Sequence, residues 1–235
     1  MPVERTVDTA LALEGRGAGG FVAPSTRDVL TTAGRQGDAT IVDFTGHMIS
    51  TDRMSPKRSA ADSNTTLLRV RPLPGRPQRG LLLGPGLNLP CALGRSGITR
   101  FKREGDGATP IARMAILSGH RRAERGPPVP APVPLVPIRA DDGWCDDVAD
   151  GRYNRPVHLP VSSSHETLRR DDGLYDLVFV LDWNLRRRVI GRGSAIFLHC
   201  AKDTLEPTAG CIALRPADLR RLLPRLKRRT VLVVG

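Results

Sequence analysis

From residue 67 onward, short apolar runs alternate with Gly- and Pro-bearing breaks. Residues 67–70, 80–83 and 87–93 are each too short for a helix and are bounded by turn formers, which predicts strands joined by tight turns. Residues 103–110 read as a polar, Gly-rich loop and 111–117 as a further strand. Between residues 126 and 137 a Pro falls at nearly every second or third position, which predicts an extended, polyproline-like connector. Two more strands follow: the apolar run 174–181, with Tyr175 and Asp176 embedded in it, and 194–198, which ends at His199. Three serines before His165 and Glu166 suggest a helix start, with Ser164 as cap and Glu166 in the first turn.

The tail over 216–225 has helical spacing, with Pro216 in the first turn and Leu219, Leu222, Leu223 and Leu226 on one face. Pro224 limits that helix because an interior proline removes a backbone donor and clashes with the preceding turn. The basic run at 225–229 reads as the polar face and C-terminal turn of the same helix, and 230–234 as a closing strand. Residues 1–66 carry no sustained period of 2 or 3.6 and end in a polar stretch, so they are expected to be a disordered extension, with Met54 a candidate translation start. The expected fold of residues 67–235 is mainly β: a sandwich or partly closed barrel of mixed strands with one or two short helices.

Composition sharpens this picture. Gly (24) and Pro (20) are abundant and only 4% of residues are aromatic, which favours short strands over long helices. The net charge of +12 belongs to the C-terminal part: residues 1–66 hold 7 Lys/Arg against 8 Asp/Glu, the remainder 29 against 16. Such a surface attracts any polyanion, so charge sign alone selects no partner. Aromatic residues are too few for base-stacking platforms, and no nucleic acid is expected. No apolar run approaches the roughly 20 residues of a membrane span. Residues 1–20 carry Glu4, Asp8 and Glu14 and show no secretory-signal pattern. The four cysteines, Cys91, Cys145, Cys200 and Cys211, form no CxxC pair and no zinc-finger spacing, so no structural metal is expected. Four cysteines allow three disulfide pairings, and nothing in the sequence chooses among them.

Candidate chemistry gathers between residues 193 and 214. A strand leads to His199; a ten-residue loop, 200–209, leads to Gly210 and Cys211 and then to the apolar run 212–214. A thiol of ordinary acidity is mostly protonated at neutral pH, so a nucleophilic cysteine needs a nearby imidazole. Gly210 permits close approach of substrate to the backbone, and the amides around Gly210 and Cys211 are candidate oxyanion donors. The structural alternative stays open at this point: cysteine is often buried as a small hydrophobe, and a strand-ending histidine is often a satisfied structural group. Cys200 would point to the opposite strand face from His199, as a buried thiol.

Phe197-Leu198-His199 followed by Thr208-Ala209-Gly210-Cys211-Ile212 resembles the signature of the L,D-transpeptidase catalytic domain, in which a His precedes a Ser/Thr-His-Gly-Cys block. Residues 102–110, Lys-Arg-Glu-Gly-Asp-Gly-Ala-Thr-Pro, resemble that family's Gly-rich loop, and Gly143 to Asp147 together with Tyr153-Asn154-Arg155 look like a subgroup lacking accessory domains. The likeness covers about residues 67–235. It implies an acyl transferase acting on peptidoglycan stem peptides, with Cys211 as nucleophile, His199 as base, the backbone carbonyl of Cys200 orienting the imidazole, and Thr208 supporting the nucleophile loop. The alternatives are an L,D-carboxypeptidase, with water as acceptor, and a wall-binding module whose site has decayed. It implies no cofactor, a location in the cell envelope or periplasm, and a protein acting as a monomer. Trp144, Asp146, Asp147, Tyr153 and Asn154 are candidate substrate-binding residues, with the acidic pair suited to the cationic end of a diamino acid stem residue.

The sequence departs from the family pattern at three places. Ala209 replaces the second His common in that block, Ala213 replaces Arg or Asn, and Ala112 and Met114 stand where Gly and Phe usually follow Thr109-Pro110. Asp141, Asp142, Asp146 and Asp147 suit either a hard cation or a polar loop that pairs with arginines. His120 and His158 have no partner visible in the sequence.

Overall fold

The computed structural model describes residues 65–127 and 130–235; residues 1–64, with the expected disordered extension and the Met54 start, lie outside them. The chain forms β1 (Leu67–Leu73), β2 (Arg76–Gly84), β3 (Leu87–Ala92), β4 (Ile98–Thr99), β5 (Thr109–Pro110), β6 (Arg113–Arg121) and β7 (Leu135–Pro137). It continues through β8 (Asp142–Cys145), β9 (Arg155–His158), β10 (His165–Thr167), β11 (Leu177–Leu181), β12 (Phe197–Cys200), β13 (Ile212–Leu214), helix α1 (Pro216–Leu222) and β14 (Val231–Val234).

Eight strands run in the order β11-β12-β13-β3-β2-β1-β14-β6 and close on themselves through a β6–β11 pairing, while β7 extends from β6. The closed sheet is mixed: β12–β13 and β1–β14 are parallel, and the remaining pairs around the ring are antiparallel. Closure removes the unpaired edges that would otherwise template aggregation. A separate three-stranded sheet, β10-β8-β9, carries Trp144.

Side-chain alternation assigns the two faces. In β1, Leu68 and Val70 turn into the barrel while Leu67 and Arg69 stay exposed. β11 is buried at all five positions: Leu177, Phe179 and Leu181 join the barrel core, and Val178 and Val180 join a second cluster with Trp144, Leu168 and Phe197. A strand covered on both faces reads as a continuous apolar run, which is why residues 177–181 show no alternation. Leu219, Leu222, Leu223 and Leu226 are fully buried in the barrel core, each contributing roughly 2 kcal/mol relative to exposure.

Several elements depart from the expectations set by the sequence. The serine-rich segment does not start a helix: residues 165–167 are β10, paired antiparallel with β8 so that Glu166 lies opposite Trp144. Here ladder pairing with a neighbouring strand outweighs a local capping signal. The strand expected from residue 194 begins only at Phe197, because Gly193 (φ 88°) and Ala195 (φ 50°) are in the left-handed region. The strand expected from residue 174 begins at Leu177. The final helix ends at Leu222 and tightens into a 3-10 turn over Leu223–Arg225, where Pro224 cannot continue the α-helical ladder. The basic run therefore lies mostly past the helix, and Lys227 to Thr230 form a turn into β14.

Candidate active site

β12 and β13 are parallel neighbours with His199 opposite Ala213. Along β12 the period of two sends Leu198 and Cys200 into the barrel core, while Phe197 and His199 take the outer face. Cys211 lies two residues before Ala213 and shares that outer face. His199, Cys211 and Ala213 accordingly line one groove of about 410 Å³. The imidazole and the thiol are nearly buried, at 5% and 8% exposure, so reactivity here depends on access through the groove alone.

The imidazole is held by its nearest chain neighbour. Its Nδ1 lies 2.7 Å from the carbonyl oxygen of Cys200. A carbonyl only accepts, so Nδ1 carries the proton and Nε2 keeps its lone pair. Burial pushes the imidazole down to about 4, against a smaller opposing effect of the Cys200 carbonyl, so the ring is neutral at pH 7. Burial also pushes the Cys211 thiol up to about 12, partly offset by the N–H of Phe197. Both shifts favour the neutral thiol and the neutral imidazole over a thiolate–imidazolium pair. The sulfur accepts the Phe197 N–H at 3.3 Å and donates to the Ala195 carbonyl at 3.2 Å.

The loop that delivers Cys211 is fastened at several points. Thr208 Oγ1 donates to the Cys211 carbonyl at 2.7 Å and accepts the Gly210 N–H at 3.1 Å, closing a tight turn around Cys211. The Thr208 N–H donates to Leu93 and its carbonyl accepts from Arg95, which ties the loop to the end of β3. Gly210 has φ 141°, and a Cβ there would come within 3.0 Å of the Ala108 carbonyl oxygen. No residue with a side chain fits without displacing backbone.

Aromatic and charged groups frame the groove. Tyr175 meets the His199 ring edge-on at 5.1 Å, and Arg170 lies 5.2 Å over the Tyr175 ring while pairing with Glu166 at 2.6 Å. On another wall, Lys102 is 2% exposed and paired with Asp106 at 2.6 Å, which folds the Gly-rich loop around one ion pair. Glu104 accepts hydroxyl hydrogens from Tyr153 and Ser194.

Of the five candidate substrate-binding residues, only Asp146 lines the groove. Its Oδ1 is buried with no hydrogen-bond partner. The other four do not line this groove, and their polar atoms make internal contacts. Asp147 accepts the N–H groups of Ala149 and Ser164; Tyr153 is fully buried against Glu104; Trp144 and Asn154 bond to each other. Asp141, Asp142 and His158 gather within 4.8 Å of one another at the surface, apart from Asp146 and Asp147, so the four aspartates make no single ligand set. A larger hollow of about 770 Å³, lined by Leu117, Val136, Trp144 and Val157, contains no cysteine.

The family model of the YkuD-type L,D-transpeptidase catalytic domain matches residues 82–234. The chain belongs to that family. No curated protein matches the sequence. Among solved structures it is similar to the crystal structure of L,D-transpeptidase 1 of Mycobacterium tuberculosis, at 13% identity and a TM-score of 0.33. That alignment covers 72% of this chain and 62% of the other, so this chain spans less than two thirds of the mycobacterial protein. The closed, mainly β architecture with one short α-helix agrees with the expected L,D-transpeptidase fold.

Within this L,D-transpeptidase domain, sequence reasoning missed Arg170, Tyr175 and Ala195. Arg170 and Tyr175 come from the charged stretch 169–176, whose density of Arg and Asp was its only signal. Ala195 gives no signal at all, since it acts through its carbonyl. No helix among the described residues is long and apolar enough to cross a membrane.

Proposed function

We propose that the protein is a cysteine-dependent L,D-transpeptidase of the cell envelope, acting on peptidoglycan stem peptides. The observation that carries this reading is the convergence of His199 and Cys211 on one groove, with the Nδ1 contact to Cys200 placing the ring proton on Nδ1 and leaving Nε2 unprotonated.

In this reading a tetrapeptide stem lies along the groove with the carbonyl carbon of its third residue at the sulfur. Nε2 takes the thiol proton as the S–C bond forms, which suits a pair that is neutral at rest. The oxyanion receives the Cys211 N–H, since the Gly210 N–H is already engaged by Thr208; Gly210 itself acts by leaving room. Collapse expels the terminal D-alanine, whose amine takes the proton from the imidazolium, and leaves a thioester on Cys211. An amine of a second stem then attacks the thioester, giving up its proton to His199, and the thiol is regenerated. Water in place of that amine would make the same protein a carboxypeptidase.

Asp146 supplies a recognition element. A buried carboxylate oxygen without a donor is costly, and an ammonium group of the stem would satisfy it. Ala209 and Ala213 also line the groove, where larger polar residues are common in the family, and so widen it beside the nucleophile.

The test is incubation of the purified protein with tetrapeptide-stem muropeptides. An acyl adduct on Cys211 and release of D-alanine are the expected results. Absence of both refutes the reading. In that case muropeptide binding retained by a Cys211→Ala variant would indicate a non-catalytic wall-binding module, the reading that the small residues at 209 and 213 favour.

A further inference from the structure

Asn154 is 1% exposed and holds a left-handed backbone conformation, φ 54°. Its amide makes four hydrogen bonds, its full capacity. Oδ1 accepts the indole N–H of Trp144 at 2.9 Å and the backbone N–H of Ala195 at 3.1 Å. Nδ2 donates to the carbonyls of Trp183 at 3.2 Å and Asn184 at 3.0 Å. Two donors facing one end and two acceptors facing the other fix the orientation of the amide, because a flipped amide would oppose like groups at all four contacts.

The Ala195 contact leads to the reactive atom. Ala195 is a non-glycine residue at φ 50°, a conformation that needs external support. Its N–H is held by Asn154, and its carbonyl accepts the thiol hydrogen of Cys211. Two residues on, Phe197 donates its N–H to the same sulfur. The sulfur is therefore fixed between two backbone groups, one of which is the carbonyl of the residue whose N–H Asn154 holds.

We propose that Asn154 is a positioning residue of the active site: by holding Ala195 in its left-handed backbone conformation it sets where the Cys211 sulfur lies. It reaches the Cys211 sulfur from the residue just before β9, through the backbone of the single residue Ala195 and without lining the groove. This assignment rests on Cys211 being the reactive thiol, and its test can be read without the transpeptidase reaction.

The full chain carrying Asn154→Ala is compared with the parent and with Trp144→Phe, which removes one of the four amide partners and leaves the Ala195 contact in place. Two rates are measured: alkylation of Cys211 by iodoacetamide, mapped by peptide mass, and acylation by a tetrapeptide stem. In Asn154→Ala the freed sulfur should alkylate several times faster, while kcat for acylation falls on the order of 10- to 100-fold and KM changes less than about twofold, because a small misplacement of a reacting atom acts on the chemical step. Trp144→Phe should leave both rates close to those of the parent. A folded Asn154→Ala protein with parental alkylation and kcat overturns the proposal. If alkylation changes but neither protein is acylated, the positioning role stands and the proposed reaction fails. Should Asn154→Ala not fold, amide hydrogen exchange in the parent decides: an Ala195 N–H protected as strongly as the β12 amides supports the assignment, and exchange at loop rates overturns it.

Discussion

The Nδ1 of His199 lies 2.7 Å from the carbonyl oxygen of Cys200, the next residue in the chain, so the imidazole is oriented by backbone and not by a carboxylate. The Cys200 side chain points the other way, into the barrel core. Its thiol is pushed up to about 11, by burial first, and so is held protonated at neutral pH. The orienting role therefore belongs to the position and not to the sulfur. Cys200→Ala should retain acylation kcat within about twofold and lose about 1–2 kcal/mol of stability for the vacated core volume. Urea unfolding and acylation kinetics check both halves, and loss of activity in a folded variant would contradict the assignment.

The neutral imidazole predicts a pH dependence. With His199 pushed down to about 4 by burial, the imidazole is unprotonated above that value; if it acts as the proposed base, kcat/KM for acylation should rise with a midpoint near pH 4 and stay flat through neutrality. Stability follows the same proton. The unfolded imidazole titrates near its ordinary 6.5, so between about pH 4 and 6.5 the unfolded chain binds a proton that the folded chain refuses. Stability is complete above that window and falls as pH drops through it, by on the order of 3 kcal/mol from this group. His199→Gln should remove that part of the loss, seen by comparing urea midpoints of the two proteins at pH 7.5 and pH 4.5.

Strand periodicity made the two faces of β12 legible, because alternation assigns His199 and Cys200 opposite directions whatever the rest of the fold does. The 208–211 turn was legible for another reason: Thr208, Gly210 and Cys211 bond to one another within a few residues. Elements set by distant partners were not legible. Residues 164–166 carry a helix-start pattern, yet pairing with β8 decides their conformation. Trp144, Tyr153 and Asn154 were recognisable as a set, but nothing local reveals that their polar atoms turn inward. Ala195 was invisible, since a left-handed alanine fixed by an asparagine 41 residues away leaves no mark on the local sequence.

Thr208 Oγ1 serves two backbone groups at once, as acceptor for Gly210 and donor to Cys211. Thr208→Val keeps the shape and removes both bonds, leaving a backbone N–H with no partner inside the turn. It should cost about 1–3 kcal/mol and lower acylation, whereas Thr208→Ser should restore most of both. Parallel thermal unfolding and acylation rates would show whether the hydroxyl or merely the bulk matters.

Asp146 offers a cleaner separation of binding from chemistry, since it lines the groove and its Oδ1 has no hydrogen-bond partner. Asp146→Asn should raise KM for a stem with a free side-chain amine by about 10- to 100-fold, the usual worth of a charge-assisted bond, with kcat nearly unchanged. A stem whose amine is acetylated should not distinguish the variant from the parent. Equal KM values for the free-amine stem in both proteins would remove Asp146 from the recognition site.

Gly210 is required by backbone geometry before any chemistry is considered. Its φ of 141° lies in a region that side chains rarely tolerate, costing about 1–3 kcal/mol for other residues. The added Cβ of Gly210→Ala would also stand 3.0 Å from the Ala108 carbonyl oxygen and 3.3 Å from Ile196 Cδ1. The isoleucine methyl can yield, but the carbonyl belongs to the segment that leads into β5, whose Thr109 is fully buried and bonded to Gly94. Relief must then come from the 208–211 turn itself, which moves the Cys211 sulfur relative to His199. Gly210→Ala should thus lose about 2 kcal/mol or more of stability and also at least about tenfold in kcat, because the same displacement produces both. Thermal unfolding together with single-turnover acylation would test the coupling: a variant destabilised as expected but acylating at the parental rate would mean that the turn relaxes away from the nucleophile.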